Sequence, residues 1–390
     1  MTILLHSRNR PAGTDLQYRA HRNCPPLLNP FEEQHRHTSV SKPQPNGIGN
    51  TARQSPRVYA SSSINKAHYG TLLFSVIIQW IWSGDGIDMK RRFTEHDVPD
   101  QSGSTVVITG ANTGLGYETA RALSARGARV LIACRSQQKA EDAIKRIEEQ
   151  NGAVDISYVP LDLGDLSSVR QCAEQLQSEK RIDVLINNAG IMVPPYELTK
   201  DGFESQFGVN HLGPFALTGL LLEKLAKTPS SRVVNTSSIA HNVGRINFKD
   251  INAERRYSAS ARYSMSKLAN LLFSYELQRR LEAASLPVLS VACHPGIAST
   301  ELDRYMPFVL SKGTELLQPL LNTAAAGAWP TLCAATSGDV VGGGYYGPAY
   351  RFETAGPAKT VRSNRASRDT AVAERLWTLS VELTGVNPGI

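Results

Sequence analysis

From residue 104 onward the sequence predicts a doubly wound α/β domain, a parallel sheet with helices on both faces. Two observations carry that reading. Short apolar runs alternate regularly with amphipathic stretches of helical period, and a glycine-rich turn joins the first run to the first amphipathic stretch. Regular strand–helix alternation implies right-handed crossovers and one sheet, and such sheets bind ligands beyond the carboxyl ends of their strands.

Strands are expected where the apolar runs fall, at 105–109 (TVVIT), 129–133 (RVLIA), 156–160 (ISYVP), 184–187 (VLIN), 232–236 (RVVNT) and 287–292 (PVLSVA). Helices are expected at 115–126, 137–150, 166–178, 214–227, 261–284 and 370–384. Asp165 is well placed to cap the third of these. No internal repeat is evident.

Composition sets the broad class. With 41% hydrophobic and 20% charged residues among 390, the chain can bury a core and is not disordered throughout. No stretch of about 18 consecutive apolar residues occurs, which excludes a multi-span membrane protein. The five cysteines, Cys24, Cys134, Cys172, Cys293 and Cys333, are scattered without a C-x-x-C pair. Free thiols in a reducing compartment are therefore expected, with no disulfide framework and no metal site. The net charge of +7 raises the question of a polyanionic partner, but nine Lys/Arg against five Asp/Glu fall in 1–88. The remaining 302 residues carry only +3 of the +7, and no nucleic-acid partner is expected of so balanced a body.

Residues 1–69 show neither apolar period and are rich in Pro and polar residues, so 1–88 is read as a largely disordered extension and 89–390 as the folded domain. The apolar segment 70–82 (GTLLFSVIIQWIW) has 13 residues, interrupted by Gln79, against the ~20 that span a bilayer. It reads as an interfacial or short anchor. The alternative is that Met89-Lys90-Arg91-Arg92, which runs straight into the first strand, marks the start, with 1–88 upstream of it. Localisation is expected to be cytoplasmic, with any membrane attachment through 70–82.

The first strand enters Thr109-Gly110-Ala111-Asn112-Thr113-Gly114-Leu115-Gly116. Glycines at 110, 114 and 116 allow a tight turn, a close backbone approach to a pyrophosphate, and close packing of helix on sheet. The helix N-terminus offers its positive end to the anion. The spacing is G-x-x-x-G-x-G, and no Lys-Ser or Lys-Thr follows, which excludes a P-loop. A dinucleotide is the expected occupant.

TGANTGLG, the Asn187-Asn188-Ala189-Gly190 after the fourth strand, and Tyr263-Ser264-Met265-Ser266-Lys267 together resemble the short-chain dehydrogenase/reductase superfamily over about residues 100–390. Asn210-His211-Leu212-Gly213, Val234 to His241 and Cys293-His294-Pro295-Gly296 are similar to its retinol dehydrogenase-like branch, which also holds WW-domain oxidoreductases. No WW-type module is present. The resemblance implies a Rossmann-type domain and a nicotinamide-dependent oxidoreductase. Residues implied at the cofactor are Gly110, Thr113, Gly114, Leu115 and Gly116 at the phosphates, Asp162 and Leu163 at the adenine, Asn188, Ala189 and Gly190 near the ribose, and Pro295, Gly296 and Ile297 under the carboxamide. Ser299 or Thr300 is implied near the pyrophosphate.

NAD-preferring members tend to end the second strand in a carboxylate. Here Cys134 stands in that place and Arg135 follows. A guanidinium pairs with a phosphate in bidentate fashion, so NADP(H) is preferred, with NAD(H) as the alternative if Arg135 merely faces solvent or stacks on the adenine.

Tyr263 and Lys267, four apart in a helical stretch, emerge on one face. A phenol with a pKa near 10 is a poor base, and a neighbouring ammonium favours its ionised form. Lys267 thus makes Tyr263 usable as proton donor or acceptor, and by the resemblance both also touch the cofactor. Ser238, at the carboxyl end of the fifth strand, resembles the family serine that hydrogen-bonds the substrate oxygen; Ser237 is the alternative. Asn210 resembles the residue that interrupts the fourth helix and holds a water relay to Lys267. His211 and His241 are read as packing or crevice-lining residues.

Beyond the sixth strand, 301–318 carries Tyr305, Met306, Phe308, Val309 and Leu310 and reads as a cap over a small lipophilic carbonyl or alcohol. Retinal-like aldehydes, steroids and other ketones all fit. The resemblance also allows a homodimer through the long fourth and fifth helices. A redox-sensing NADP(H)-binding protein without turnover is the rival reading, against which the complete Ser–Tyr–Lys set argues.

Overall fold

The computed structural model describes residues 92–297 and 322–390. Expectations concerning 1–88, the apolar segment 70–82, Ser299, Thr300 and the cap at 301–318 lie outside the described residues.

Apolar runs become strands because each residue pair buries on opposite faces of one sheet. In β1 (Thr105–Thr109), Val106 and Ile108 join one apolar cluster and Val107 the other. The first cluster takes α1 (Gly114–Ser124), α2 (Gln137–Asn151) and α7 (Ala324–Thr336); the second takes α3 (Leu166–Gln177), α5 (Gly213–Ala226) and parts of α6 (Ala259–Ala283) and α8 (Thr370–Thr384). With β2 (Arg129–Cys134), β3 (Ile156–Pro160), β4 (Val184–Asn187), β5 (Ser231–Thr236), β6 (Val288–Cys293), β7 (Tyr345–Tyr350) and β8 (Ala355–Thr360), the sheet runs β3-β2-β1-β4-β5-β6-β7-β8. Strands β1 to β7 pair in parallel, and β8 is antiparallel to β7. Chain order reverses between β1 and β4, so the turns that leave these two strands lie side by side at the crevice where such sheets hold ligands.

The six expected strands and six expected helices are present, with ends that differ by at most two residues. The long fourth helical region is divided: α4 (Ser205–Phe207) passes through a π-helical turn, Gly208–Leu212, into α5. Three elements were not expected. Strand β7 contains Gly347 and Pro348, β8 contains Gly356 and Pro357, and α7 contains Gly327 and Pro330. Glycine and proline weaken both strand and helix signals; here tertiary burial overrides them, with Tyr345, Tyr346, Ala358 and Leu332 all buried. The register shifts between Pro348 and Tyr350.

The β7–β8 turn is unusual. Arg351, Phe352 and Glu353 all adopt left-handed backbone, with φ of 50°, 58° and 65°, a conformation that costs a side-chain-bearing residue roughly 1–2 kcal/mol. On the far side of β8, Phe93 pairs with Ala358 through two backbone bonds of 2.9 and 2.8 Å, and Arg92 bonds the Tyr350 hydroxyl. Among the described residues no helix is long and apolar enough to cross a membrane.

Asp165 caps α3, accepting from the amides of Ser167 and Ser168 and from Lys200 at 2.6 Å. The ammonium and these donors hold its carboxyl down at about 2. Replacing it with alanine is expected to lower stability by about 1 kcal/mol at neutral pH, measured by urea denaturation. The loss should vanish in acid: the folded pKa lies below the ordinary 3.8, so this contribution is present above that value and disappears as pH falls through 2.

Candidate active site

The glycine-rich turn owes its shape to its neighbours. Gly110 and Gly114 have φ of 68° and 57°, which favours glycine. A Cβ on Gly116 would lie 2.6 Å from both the Asn188 Nδ2 and the Gly110 carbonyl oxygen. Asn188 donates from Nδ2 to the Thr109 carbonyl at 2.9 Å, while the Asn188 and Ala189 amides each donate to Thr109 Oγ1 at 3.0 Å. The two turns at the order reversal are thereby tied into one floor. Thr113 makes no side-chain cap bond at the start of α1, and the first turn of that helix has no acidic residue. Its amides and dipole are thus available to an anion.

Arg135 follows β2 and is exposed, with no ion pair among the described residues. Asp162 accepts from the Gly164 amide at 2.9 Å, and Leu163 packs so closely on Gly213 that a Cβ there would meet the Leu163 carbonyl at 2.5 Å. After β6, the Gly296 amide donates to His294 Nδ1 and the Ile297 amide to the Thr354 carbonyl. Asn322 Nδ2 donates to the Pro295 carbonyl at 3.2 Å. These groups all stand at carboxyl ends of strands, and a dinucleotide fits them: a glycine cradle, an uncapped helix start, and a free guanidinium.

The residues expected to carry the reaction lie beside this floor. Lys267 is buried, its Nζ donating to the Thr236 carbonyl at 3.2 Å and lying 5.7 Å from the centroid of the Tyr263 ring. A Cβ on Gly190 would lie 3.4 Å from that Nζ and 3.2 Å from Asn210 Oδ1. Burial pushes the Lys267 ammonium down to about 8. Ser237 is buried, its hydroxyl donating to the Lys267 carbonyl at 2.8 Å. Ser238 is half-buried, starts a short 3₁₀ turn (Ile239–Val243), and accepts from the Ala240 amide at 3.2 Å. Of the two serines, Ser238 is therefore the one that can present a hydroxyl to a ligand.

Asn210 sits in the π turn, where Gly213 bonds back to Gly208 in the i+5 pattern. Its Oδ1 accepts from the Ile191 amide at 2.8 Å, and its Nδ2 donates to the Ile191 carbonyl and to Ser266 Oγ, each at 2.9 Å. Ser266 in turn donates to the Tyr263 carbonyl at 2.8 Å. His211 packs between Phe207 and Phe215 and bonds Ser380; burial pushes it down to about 3. His241 donates from Nδ1 to the Ser238 carbonyl at 2.7 Å, and burial holds it at about 4.

Several supporting residues have no sequence signal. Ser266 links Tyr263 to Asn210. Glu204, fully buried, caps α4 and receives Arg262 Nε at 3.0 Å, next to Tyr263 in α6. Arg146 covers the Tyr117 ring at 4.4 Å and reaches the Asn112 carbonyl. Each depends on residues far apart in the chain; only the Ser266 position, three after Tyr263 and so on the same helix side, offered a hint.

This fold and constellation are those of a short-chain dehydrogenase. Residues 104–307 match the short chain dehydrogenase family, and the chain belongs to that family. More particularly, it is an oxidoreductase related to retinol dehydrogenases. It is 46% identical over 287 residues to retinol dehydrogenase 12 from Homo sapiens, covering 73% of this chain and 87% of that one. Retinol dehydrogenase 11 from Homo sapiens is 43% identical over 287 residues, covering 73% and 86%. A crystal structure of an uncharacterized protein from Mycobacterium paratuberculosis matches with a TM-score of 0.65 at 46% identity, covering 77% of this chain and 100% of the other.

Because Lys267 has no carboxylate partner among the described residues, its burial opposes folding of the cofactor-free chain. Lys267→Met is expected to raise stability at pH 7 by roughly 3 kcal/mol at most, at 1.36 kcal/mol per pKa unit. The unfolded chain binds the extra proton between about 8 and the ordinary 10.5, so wild-type stability rises with pH in that window. The gap between variant and wild type, read by thermal denaturation, should narrow across it.

Proposed function

We propose that the protein is an NADP(H)-dependent oxidoreductase that interconverts a lipophilic, retinal-like aldehyde or ketone and its alcohol. The single observation that carries this reading is the convergence of Lys267, Asn210 and Gly190 beside Tyr263, on the same floor as the phosphate turn. When bound, the nicotinamide supplies or accepts hydride at its C4. Ser238 donates a hydrogen bond to the substrate oxygen and stabilises charge developing there. Tyr263 gives its proton to that oxygen in reduction and takes it back in oxidation. Lys267, desolvated and cationic, favours the phenolate and offers donors to a ribose. Asn210 keeps the loop after β4 in register with α6, where the relay to solvent is expected.

Two features support the finer reading. Arg135 is exposed, with no ion pair among the described residues, and Cys134 rather than a carboxylate ends that strand, which suits a 2′-phosphate. The segment after β4, with half-buried Ile191, Met192 and Val193 followed by exposed Tyr196 and Leu198, lines the carboxyl end of the sheet with apolar surface; the related retinol dehydrogenases are named for a lipophilic alcohol.

Tyr263→Phe is expected to lower turnover of all-trans-retinal at least a thousandfold, while NADPH affinity by fluorescence titration stays within threefold. A variant retaining a tenth of wild-type turnover would overturn the assignment. Arg135→Ser should raise the KM for NADPH ten- to a hundredfold, about 1.5–3 kcal/mol for lost charge-assisted bonds, and leave that for NADH within twofold. An equal effect on both cofactors would sink the 2′-phosphate assignment.

A further inference from the structure

The turn joining β7 to β8 does something for the segment after β6 that the mechanism above does not use. His294 is fully buried at the end of β6. Its Nδ1 accepts the Gly296 amide at 3.2 Å, and its Nε2 lies 3.2 Å from Glu353 Oε2. A ring nitrogen that accepts carries no proton, so the proton sits on Nε2 and is donated to the carboxylate. The two bonds thus require one tautomer, and Glu353 is the group that selects it. Among the described residues Glu353 has no lysine or arginine partner.

The surroundings are shaped to this pair. A Cβ on Gly347 would lie 2.1 Å from His294 Nε2, so β7 leaves the ring its place. Gly296 has a φ of 74°, and a Cβ on it would meet the Thr354 carbonyl at 2.3 Å. That same carbonyl accepts the Ile297 amide at 2.9 Å. Glu353 is the last of the three successive left-handed residues described above. Such strain persists where surrounding contacts over-determine it, and here the Glu353 carboxylate and the Thr354 carbonyl both contact 294–297.

We propose that Glu353 is a positioning residue: by accepting the Nε2–H of His294 it fixes the tautomer that holds the Gly296 amide, and so sets the Pro295–Gly296–Ile297 turn on which the nicotinamide half of the cofactor rests. The proposal deepens the reading of this site as a nicotinamide site and depends on it. Without the carboxylate the imidazole is free to take the Nδ1–H form, which turns a donor toward the Gly296 donor and releases the turn. The ADP half, held at the other end of the floor, is unaffected.

The test compares full-length wild type, Glu353→Ala and Glu353→Gln, since glutamine keeps an acceptor for Nε2–H. Hydrogen–deuterium exchange without cofactor reads the turn directly: exchange at the Gly296 amide should be at least tenfold faster in the alanine variant and within twofold of wild type in the glutamine variant. With NADPH, the alanine variant should bind within threefold of wild-type affinity but lose the blue shift of bound-nicotinamide fluorescence. Its kcat should fall about tenfold on whichever carbonyl wild type reduces, with the glutamine variant restoring it. Unchanged Gly296 exchange in the alanine variant overturns the proposal, as does an equal loss in both variants. Faster exchange with unaltered bound-NADPH fluorescence also overturns it, leaving a structural turn contact and an intact cofactor site. Wild type that binds NADPH but reduces no carbonyl refutes the oxidoreductase reading alone, and the exchange and fluorescence results still decide the role of Glu353.

Discussion

A buried ammonium with no carboxylate partner among the described residues is the constraint around which the rest of this protein is arranged. Lys267 is enclosed by backbone and neutral side chains, with the Thr236 carbonyl as its hydrogen-bond acceptor. An uncompensated buried cation is unfavourable, and the apolar burial of the surrounding sheet and helices offsets that cost. Ser237 binds the lysine's own carbonyl, Asn270 shares the Thr236 carbonyl at 3.0 Å, and the Cys293 thiol lies nearby, itself kept protonated by burial. Among the described residues no carboxylate pairs with Lys267, and a phenolate or a ribose–phosphate ligand would supply negative or acceptor groups. Stability is thus given up in the free protein at the place where affinity for a ligand is required.

The second organising element is the way side chain-to-backbone bonds, more than side-chain pairs, hold the floor of the crevice. Thr109 gathers the amides of Asn188 and Ala189, and Asn188 returns to the Thr109 carbonyl. Asn210 grips both backbone groups of Ile191. Because backbone positions are fixed by the sheet, such bonds transmit strand geometry to the turns with little slack. The buried Glu204–Arg262 pair does the same for the helix that carries Tyr263.

The sheet and most helices were legible because their information is local. The six expected strands are short apolar strings, and the phosphate turn and the Tyr263–Lys267 pair are set by spacings of a few residues. What was not legible depends on distant partners. The Asn210–Ser266 bond joins residues 56 apart, and the His294–Glu353 contact joins residues 59 apart. Strands β7 and β8 and helix α7 contain glycine and proline at their centres, so local propensity spoke against them while burial decided for them. The π turn at Asn210 has no periodic signature: the interruption there was expected from the family resemblance alone, and it falls where that side chain bonds Ile191 and Ser266.

The pairing of Phe93 with Ala358 bears on how this molecule behaves in a crowd. A strand at the margin of a sheet offers bare amides and carbonyls to any extended chain that meets it. On β8 those groups are already taken at two points, Ala358 by Phe93 and the Gly356 amide by Asn322 Oδ1 at 3.0 Å. Pro357 between them has no amide to give, and Lys359 places a charge beside them. A foreign strand would have to evict Phe93 before it could zip onto this margin. A single residue ahead of the first strand thus stands as a stopper against runaway sheet growth.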